Sequence, residues 1–283
     1  MDLSIITVNT NDKEKILEQL KSVPAGVEGL VYEYFVTDNG STDSSIEIIK
    51  NQYPEVKVIA NKKNIGFGAA NNVAIKQATG EFVLFLNPDM RLEARSLKKI
   101  VDWMRTRAEV GVVSCKLIDE DGKFNENAKP RRFPTLLDQV AILLKLPHLF
   151  PKILDHYLYK GFDSEQEQEV DSVRGSFMLI RKELTNKLGW GFDPRYFIWF
   201  EDVDTCREAW ANGYKVMYTP IISCVDYVGQ NFKRLPSLLK QKWFTASMVK
   251  YFRKWEPWYK WLVIAILRPV AIGLVWVESK FKN

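Results

Sequence analysis

The sequence predicts an α/β fold in which helices cover both faces of a doubly wound, mostly parallel sheet. Short apolar runs alternate with segments of helical periodicity through the first third of the chain, and polar residues directly follow most of these runs. This alternation is typical of βαβ units. Residues 236–283 break the pattern and contain five of the nine tryptophans. We therefore expect one large domain over 1–235 and a helical, aromatic-rich C-terminal appendage over 236–283.

The elements of the first half follow in regular order. The first helix places Ile16, Leu17 and Leu20 on one face. In a parallel sheet, ligands bind beyond the carboxyl ends of the strands, so residues that follow a strand, such as Asn9 and Asp38, are candidates for a site. The predicted strands are 3–8, 31–37, 56–60 and 81–86, and the predicted helices are 12–22, 44–53, 69–78 and 94–107.

The second half of the chain is less regular. Strands are predicted at 110–117, 170–180 and 216–220, with a turn at 119–122. Residues 124–170 combine an apolar helix-like run with an acidic stretch and form a long insertion. Long irregular insertions in compact domains are usually lids or binding loops, and we expect that role here.

Composition narrows the classes of function. The net charge of +5 is too small to indicate nucleic-acid binding. Cys115, Cys206 and Cys224 are far apart and form no CxxC pair, so neither a zinc site nor a disulfide framework is expected, and a reducing cytosol fits. The chain starts on a strand-like run without the basic and apolar regions of a secretory signal. We therefore expect a cytoplasmic protein.

An acidic cluster follows four apolar residues in the segment FIWFEDVDTCR. It contains Glu201, Asp202 and Asp204. Carboxylates beside aromatic side chains are costly to bury unless a cation, a metal or a substrate proton compensates them. Such a cluster is where a general base or a cation site is expected. The alternative is a solvated acidic turn on a surface helix.

Three further motifs stand where strands end and helices begin. The turn DNGSTD either caps the next helix or presents Asp38 to a nucleotide base. The glycine turn around Asn64 and Gly66 is either a plain connection or a pyrophosphate site at a helix N-terminus. Asn87 and Asp89, in the motif NPD, suit a divalent cation that holds a diphosphate, with a helix cap as the alternative.

Three arginines are candidates for phosphate binding. Arg131, Arg132 and Arg174 carry guanidinium groups, which match phosphate oxygens in charge and geometry. Surface arginines without a ligand are the alternative. The two histidines, His148 and His156, lie in the insertion and are assigned no role.

Taken in order, these motifs resemble those of family 2 glycosyltransferases with the GT-A fold, in particular the rhamnosyltransferase-like branch. The matching stretches cover roughly residues 3–230. The resemblance implies a Rossmann-like GT-A domain over 1–235, with 124–170 as an insertion on the acceptor side. It is specific for fold and reaction type and much less so for the sugar. The stretches are SIITVN, VTDNGSTDSS, NKKNIGFGAANN, GEFVLFLNPDM, VRGSFMLIRKEL and GWGFDPRYFIWFEDVDTCREAWANGYKVMYTP.

The resemblance also implies roles for individual residues. Asp202 matches the general base, with Glu201 and Asp204 beside it. Trp199 matches part of the wall of the acceptor or donor-sugar site. The implied nucleotide and donor residues are Thr7, Asn9, Asp38, Asn64, Gly66, Phe67, Asn71 and Asn87.

The implied metal site departs from the family pattern at two positions. Asp89 matches the metal ligand for Mg²⁺ or Mn²⁺, but Asn87 replaces the first aspartate of the usual DxD motif. The family usually has a histidine in an HxxG setting, and the matching stretch here is DYVG, from Asp226 to Gly229. An aspartate is still a hard oxygen ligand, so Asp226 is expected as a second metal ligand.

The resemblance implies an inverting glycosyltransferase of surface-polysaccharide synthesis. It would move a sugar, with rhamnose as the first expectation, from a dTDP- or UDP-sugar to a glycan or a polyprenyl-diphosphate-linked acceptor. Because Asn87 and Asp226 depart from the pattern, a non-catalytic sugar-nucleotide or glycan-binding protein with a degenerate site is the alternative. A nucleotidyltransferase is a further alternative, but the chain lacks that class's glycine-rich, basic N-terminal signature.

The appendage contains an apolar stretch from Trp258 to Val277, which Lys260 and Arg268-Pro269 interrupt. A spanning helix needs about 20 apolar residues, and a central arginine costs roughly 2.5–3.5 kcal/mol there. We therefore expect a bent pair of interfacial helices that holds the protein on the cytoplasmic face of the membrane. The alternative is a helical pair that packs on the catalytic domain or on a partner chain, as in a homodimer.

Overall fold

The computed structural model describes residues 1–227 and 235–281. Its strands are β1 (Leu3–Asn9), β2 (Tyr32–Asp38), β3 (Lys57–Ala60), β4 (Phe82–Leu86), β5 (Met90–Leu92), β6 (Val110–Ile118), β7 (Gln168–Glu169), β8 (Phe177–Arg181) and β9 (Lys215–Asp226). Its α-helices are α1 (Lys13–Gly26), α2 (Ser45–Gln52), α3 (Phe67–Ile75), α4 (Ser96–Arg105), α5 (Leu136–Leu143), α6 (Lys182–Leu188), α7 (Glu201–Ala211), α8 (Ser237–Trp255) and α9 (Trp258–Phe281). Short 3₁₀ helices lie at Leu146–His148 and Pro151–Leu154.

The strands of the described residues form one sheet in the order β3-β2-β1-β4-β8-β6-β9-β5, with β7 paired to β9. The first four strands in this order are parallel neighbours. Their ends agree with the predicted ones to within one residue, and the α/β prediction is confirmed. The register pairs Asn9 with Asp38 at the last position of β1 and β2. The polar residues predicted at the strand ends therefore lie side by side at one edge of the sheet.

The second half of the sheet is mixed and differs more from the prediction. β8 lies antiparallel to both β4 and β6, while β6 and β9 are parallel. One strand was expected over 170–180, but residues 168–169 pair with β9 and only the end of the expected segment enters the main sheet. β9 continues to Asp226, beyond the expected end at residue 220. Apolar runs of this kind look alike in parallel and antiparallel strands, so the sequence did not indicate in which direction these strands run relative to their neighbours.

Helices cover both faces of the sheet, as expected for a doubly wound fold. On one face, α1 and α4 contribute residues such as Ile16 and Ile100 to the core. On the other face, α3, α6 and α7 contribute Ala74, Leu184 and Cys206. The packing fixes the carboxyl edge of the parallel strands between the helix N-termini, which is where the candidate site lies.

The appendage shares a third core with the main domain. Tyr196 and Phe200, from the loop before α7, pack with Met248, Phe252 and Ile264 from the two long helices. α8 is largely packed, whereas one side of α9 is exposed along its length. In residues 1–227 and 235–281, α9 is the one helix whose length and composition would allow it to cross a membrane, and only 11% of its apolar window is buried. The exposed apolar residues of α9 include Trp258, Tyr259, Leu262, Val263, Ile266, Val270, Leu274, Trp276, Val277 and Phe281.

Candidate active site

The ends of β1 and β2 carry a hydrogen-bonded turn built around Asp38 and Asn9. Asp38 Oδ2 accepts the backbone N–H of Gly40 at 3.2 Å and that of Ser41 at 2.9 Å. The buried Asn9 amide donates to Asp38 Oδ1 at 3.2 Å and to the Ser45 hydroxyl at 2.8 Å. Gly40 permits the turn because its φ is +83°. The turn therefore fixes Asp38 at the sheet edge where a nucleotide would meet it.

Thr7 lies two residues deeper in β1 than Asn9. Its hydroxyl is fully buried and bonds to Gln19 Oε1 at 3.0 Å and to the Tyr34 hydroxyl at 2.8 Å. Gln19 in turn donates to the backbone carbonyl of Asn87. This network connects β1, α1 and β2 to the end of β4. Contrary to the prediction, Thr7 supports the site from beneath and does not line it.

Asn39 holds the glycine turn against the end of β2. Its buried amide donates to Asn64 Oδ1 at 2.9 Å, and its side-chain oxygen accepts the N–H of Ile65 at 3.0 Å. Asn64 Oδ1 also accepts the N–H of Gly66 at 2.9 Å. Two asparagine side chains thus shape the turn before any ligand binds. Asn39 was not among the predicted residues, although its place directly after Asp38 was an available signal.

The glycine turn is packed against the loop that precedes α7. Gly66 has φ +94°, and a Cβ there would lie 2.6 Å from the carbonyl oxygen of Phe197. The same carbonyl accepts the N–H of Phe67, the first residue of α3, at 2.8 Å. Only glycine allows this approach, so the predicted donor loop and the segment that leads into the acidic cluster are held together.

Two neighbouring asparagines on α3 have different roles. Asn71, a predicted donor-site residue, is buried and donates to the Phe67 carbonyl at 3.0 Å, which closes the first turn of the helix. Asn72 was not predicted. Its Oδ1 atom accepts the N–H groups of Gly191 and Phe192 at 2.9 and 3.1 Å, and its amide donates to the Phe192 carbonyl at 2.5 Å. Asn72 therefore ties α3 to the loop before α7.

Asp89 and Asp226 lie next to each other, although 137 positions separate them in sequence. β5 begins at Met90, which pairs with Asp226, and the N–H of Tyr227 donates to the Asp89 carbonyl at 3.2 Å. Both aspartates are buried. The two residues predicted as metal ligands therefore lie at neighbouring backbone positions on adjacent strand ends. Residues 228 and 229 of the DYVG stretch lie outside the described residues.

The chemistry of these side chains fits a hard divalent cation. Mg²⁺ and Mn²⁺ prefer oxygen ligands, and Mg²⁺ is commonly bound through one or two carboxylates together with substrate phosphates. Asp89 and Asp226 supply two carboxylates. Asn87, whose N–H donates to the Ser176 carbonyl at 2.9 Å, stands two residues before Asp89. In the described part of the chain, no group of three or more His, Cys, Asp or Glu side chains is placed to hold a metal alone.

The helix that carries the acidic cluster begins after two strained residues. Trp199 has φ +63° and Phe200 has φ +70°. This left-handed conformation costs roughly 1–3 kcal/mol for residues other than glycine and persists only where packing enforces it. The Phe200 ring is buried against Phe244 and Tyr251 of α8, at centroid distances of 5.6 and 5.4 Å. The appendage therefore helps to set the direction in which α7 starts.

Asp202 reaches the cleft and is oriented by backbone donors. Its Oδ2 atom accepts the N–H of Gly175 at 3.2 Å, and its Oδ1 atom accepts the N–H of Val203 at 2.8 Å. A Cβ at Gly175 would lie 3.3 Å from Cβ of Asp202 and 3.8 Å from the ring of Phe67. The glycine of VRGSF therefore lies beside both the predicted base and the Phe67 ring of the predicted donor loop.

Glu201, directly before Asp202, is buried inside the domain. Burial, followed by repulsion from Asp202, raises the pKa of Glu201 well above its ordinary value. Its Oε2 atom has no hydrogen-bond partner within the part of the chain that the structure describes. These surroundings favour the neutral acid form of Glu201.

Asp204 lies on the side of α7 that faces the appendage, and its carboxylate is fully buried. It accepts hydrogen bonds from Lys254 Nζ at 2.7 Å, from Trp255 Nε1 at 2.6 Å and from the Tyr196 hydroxyl at 3.1 Å. Burial raises the pKa of Asp204, although Lys254 opposes the shift. Contrary to the prediction of a catalytic role, Asp204 anchors α8 and does not join Asp202 in the cleft.

A cleft of about 100 Å³ lies in front of Asp202. Three of its residues come from the 124–170 insertion, so the insertion borders the cleft. Cationic and aromatic side chains dominate the wall. The lining residues are Lys129, Arg131, Tyr157, Ser172, Val173, Arg174, Trp199, Phe200, Asp202, Val203 and Phe244.

The three predicted arginines separate into two groups. Arg131 and Arg174 both line the cleft. Arg132 does not, because its guanidinium lies over the Tyr159 ring at 3.9 Å and donates to Asp171 at 3.4 Å. The structure therefore retains two arginines as candidates for phosphate binding. It gives Arg132 a role in packing the insertion.

Comparison with known proteins identifies the fold and its family. The family model described as glycosyl transferase family 2 matches residues 4–189. The chain belongs to this family. This family 2 glycosyltransferase is 26% identical over 214 residues to the N-acetylglucosaminyl-diphospho-decaprenol L-rhamnosyltransferase of Mycobacterium tuberculosis, which covers 71% of this chain and 68% of that protein. It is 26% identical over 257 residues to rhamnosyltransferase WbbL of Escherichia coli K12, with coverage of 88% and 92%.

Solved structures confirm the GT-A type of α/β fold for this glycosyltransferase. The mannosyltransferase PcManGT of Pyrobaculum calidifontis, in complex with GDP-Man and Mn²⁺, superposes with a TM-score of 0.61 at 19% identity, covering 97% of this chain and 73% of that one. Residues 1–349 of S. aureus TarS superpose with a TM-score of 0.56 at 19% identity, covering 89% and 72%. Similarity at this level of identity concerns the fold.

Proposed function

We propose that this glycosyltransferase catalyses one inverting displacement, in which an acceptor hydroxyl attacks the anomeric carbon of a nucleotide-diphosphate sugar. The observation that carries the proposal is the arrangement around Gly175. The N–H of this residue donates to the Asp202 carboxylate at 3.2 Å, and a Cβ at this position would lie 3.3 Å from Cβ of Asp202 and 3.8 Å from the Phe67 ring of the donor loop. A base on the cleft and a donor loop that lies beside Gly175 suit a direct transfer, which requires no covalent enzyme intermediate.

Asp202 would act as the general base. Its carboxylate lines the cleft, while the raised pKa of Glu201 leaves that neighbour as the neutral acid. The N–H groups of Gly175 and Val203 orient the two Asp202 oxygens. A positioned carboxylate that removes the proton as the new C–O bond forms contributes about 10²–10⁴-fold to the rate.

The donor would lie across the ends of β1, β2 and β4. Asp38 would accept hydrogen bonds from the base, and the N-terminus of α3 beside Gly66 would favour the diphosphate. Two relatives, at 26% identity, are named as transferases of rhamnose or L-rhamnose. We therefore propose dTDP-rhamnose as the first donor to test and a UDP-hexose as the second.

Asp89 and Asp226 would hold Mg²⁺ or Mn²⁺, with Asn87 nearby. Such a cation, when bound, neutralises charge on the diphosphate leaving group. Asp226 keeps an oxygen ligand at the position where the family usually has a histidine. The two buried carboxylates at adjacent strand ends support this assignment.

The acceptor would be a glycan or a sugar linked to a polyprenyl diphosphate, used in surface-polysaccharide synthesis on the cytoplasmic face of the membrane. The name of the Mycobacterium tuberculosis relative describes an acceptor built on decaprenol diphosphate. The exposed apolar side of α9, with Ile266 64% exposed, suits the headgroup boundary of a bilayer.

The test combines donor hydrolysis and transfer with a panel of dTDP- and UDP-sugars, with Mn²⁺, with Mg²⁺ and with chelator. Purified protein is compared with Asp202→Asn and with Asp121→Asn, a control in an exposed turn. We expect metal-dependent release of one nucleoside diphosphate, reduced about 10²–10⁴-fold in Asp202→Asn, with the dissociation constant for that diphosphate unchanged. The anomeric configuration of the product, measured by NMR, reports inversion.

A non-catalytic sugar-nucleotide-binding protein is the second candidate, because Asn87 and Asp226 depart from the family pattern. It predicts nucleotide binding without turnover on every donor of the panel, even when membrane lipid extract supplies acceptors. Equal activity in Asp202→Asn and in the unchanged protein would refute the assigned base.

A further inference from the structure

Arg131 and Arg174 line the same cleft as the Asp202 carboxylate. Both donate to the carbonyl of Asn127, at 3.3 and 2.6 Å, and Arg131 also donates to the Lys129 carbonyl at 3.3 Å. Within residues 1–227 and 235–281, neither guanidinium forms an ion pair with Asp or Glu. The positive charge of Arg174 acts on Arg131, and an anion bound between the two guanidinium groups would offset their repulsion.

One N–H donor of the arginine pair lacks a hydrogen-bond acceptor in the structure. The Nε atom of Arg174 is buried and has no partner among the residues described. Buried donors without a partner are rare in folded proteins, so each one calls for an explanation such as a ligand. Burial, and then the charge of Arg174, lowers the pKa of Arg131 to about 10. The site therefore resembles a prepared anion site more than a solvated surface.

We propose that Arg131 and Arg174 bind a phosphate or diphosphate group of the acceptor. This inference rests on the proposed function, because it assigns a substrate to the same cleft. Guanidinium groups bind phosphate oxygens through paired hydrogen bonds, which a lysine cannot reproduce. The acceptor is favoured as the source because the arginines share a cleft with Asp202, whereas Asp89 and Asp226 at the strand ends would hold the donor diphosphate through a cation.

A second groove gives the rest of such an acceptor a path. Trp199 and Phe244 line both the cleft and a cavity of about 350 Å³ beside α8 and α9. Gln241 of α8 and Val275 of α9 also line this cavity. A hydrocarbon chain attached to a phosphate on the arginines would pass between these walls toward α9. A nucleotide donor has no such chain, so this continuity favours the lipid-linked acceptor as the source of the phosphate.

The first experiment measures binding without turnover. Geranyl diphosphate is titrated calorimetrically into the full chain in the presence of EDTA, and geraniol serves as the ligand without phosphate. We expect at least about tenfold weaker binding of geranyl diphosphate to Arg131→Gln and to Arg174→Gln. Arg132→Gln is the matched control, because it removes the same charge one residue away and outside the cleft. Thermal unfolding of each variant verifies that it is folded, and Arg131→Lys replaces Arg131→Gln if that variant does not fold.

The second experiment separates the two sources of phosphate by transfer kinetics. Acceptor sugars linked to a prenyl diphosphate are compared with alkyl glycosides that lack phosphate. We expect the arginine variants to raise KM for the diphosphate acceptor about tenfold or more, and to leave unchanged KM for the donor and KM for the alkyl glycoside.

Three results would overturn the proposal. A rise in the donor KM alone would assign the arginines to the donor diphosphate. Equal effects on acceptors with and without phosphate, combined with unchanged binding of geranyl diphosphate, would give the arginines a structural role. Unchanged binding and unchanged kinetics in both variants would remove the site altogether. If no donor is turned over, the proposed function fails, but the calorimetric comparison still decides whether the arginine pair binds diphosphate.

Discussion

Glu201 and Asp202 are adjacent in sequence, but only Asp202 lines the cleft and contacts the backbone N–H of Gly175. Glu201 is 6% exposed, and burial followed by repulsion from Asp202 raises its pKa well above the ordinary 4.5. The folded protein therefore holds this proton more tightly than the unfolded chain does. The stabilising contribution of the proton is fully present below about pH 4.5 and is lost as the pH rises through the raised pKa of the folded state.

Glu201→Gln should remove this pH dependence, because glutamine imitates the neutral acid and does not ionise. Between pH 5 and the raised pKa, we expect the free energy of unfolding of the unchanged protein to fall by up to about 1.4 kcal/mol per pH unit relative to the variant. Urea unfolding at a series of pH values measures the difference, with the exposed Glu120→Gln as the control. Parallel pH profiles for the unchanged protein and Glu201→Gln would contradict the assignment.

Gly66 tests whether the donor loop depends on its contact with the loop before α7. Gly66→Ala places a side chain in a left-handed backbone and 2.6 Å from the Phe197 carbonyl. Gly122→Ala is a matched control, since Gly122 has φ +77° but nothing within 4 Å of an added Cβ. We expect Gly122→Ala to lose about 1 kcal/mol of stability from the left-handed backbone, and Gly66→Ala to lose more because its Cβ also clashes with Phe197. Only Gly66→Ala should also weaken nucleoside diphosphate binding, which calorimetry measures.

At the residue scale, the position of a residue at the end of a strand predicted where its side chain lies in the fold. The position of a residue along a helix did not predict this. Asp38 and Asp89 follow parallel strands, whose carboxyl ends meet at one edge, so their placement follows from the sequence pattern alone. Asp202 and Asp204 are two residues apart on one helix and therefore point in different directions. Periodicity could not decide which of them faces the cleft, because both faces of α7 are covered. The sequence also did not show that Thr7 would be buried beneath the site, because its position depends on hydrogen bonds to Gln19 and Tyr34 of other elements.

At the scale of elements, Lys254 joins α8 to α7 and to the loop before it. Its ammonium group contacts Asp204 at 2.7 Å, Glu208 at 2.7 Å and Asp193 at 3.1 Å. Removing the cation would leave carboxylates of low exposure without compensation, and breaking a buried ion pair from one side typically costs about 3–5 kcal/mol. This contact, with the packing of Phe200 against α8, explains why the main domain and the appendage share one core.

Lys254→Met should therefore lower the free energy of unfolding by about 3–5 kcal/mol. Lys250→Met, one turn earlier on α8, removes a lysine that donates to the carbonyl of Arg195, and we expect a loss below about 1 kcal/mol. Urea unfolding of both variants gives the comparison. Similar losses for the two variants would show that the carboxylate cluster does not anchor α8.

The elements that the sequence predicted least well are those whose pairing depends on distant segments. The strands β1 to β4 and their helices repeat one local unit, so apolar spacing was enough to place them. β8 follows the 124–170 insertion and pairs antiparallel with both β4 and β6. Contacts with other elements set the path of this insertion. The helical character of the appendage was predictable from its spacing, but its packing on Tyr196 and Phe200 was not.

At the scale of the whole molecule, the cleft and the last helix, α9, are connected through a groove in the appendage. Trp199 and Phe244 line the cleft together with Asp202, and they also line the groove that Val275 of α9 borders. A protein that used a lipid-linked acceptor would need its catalytic cleft close to the membrane surface. If the chain uses such an acceptor, membrane binding and acceptor transfer should both depend on this face.

Membrane binding should depend on the exposed apolar side of α9. Ile266 and Val270 lie one turn apart on this side, at 64% and 48% exposure. Burial of such a side chain contributes about 1.5–3 kcal/mol, so Ile266→Ser combined with Val270→Ser should weaken partitioning into phosphatidylglycerol vesicles by at least about tenfold. Val31→Ser, which removes an exposed apolar side chain before β2, should have little effect. Cosedimentation measures the partitioning, and sedimentation velocity without lipid measures the oligomeric state.

If the unchanged protein fails to bind vesicles and sediments as a dimer that the double substitution dissociates, a second copy of the chain covers this face instead of lipid.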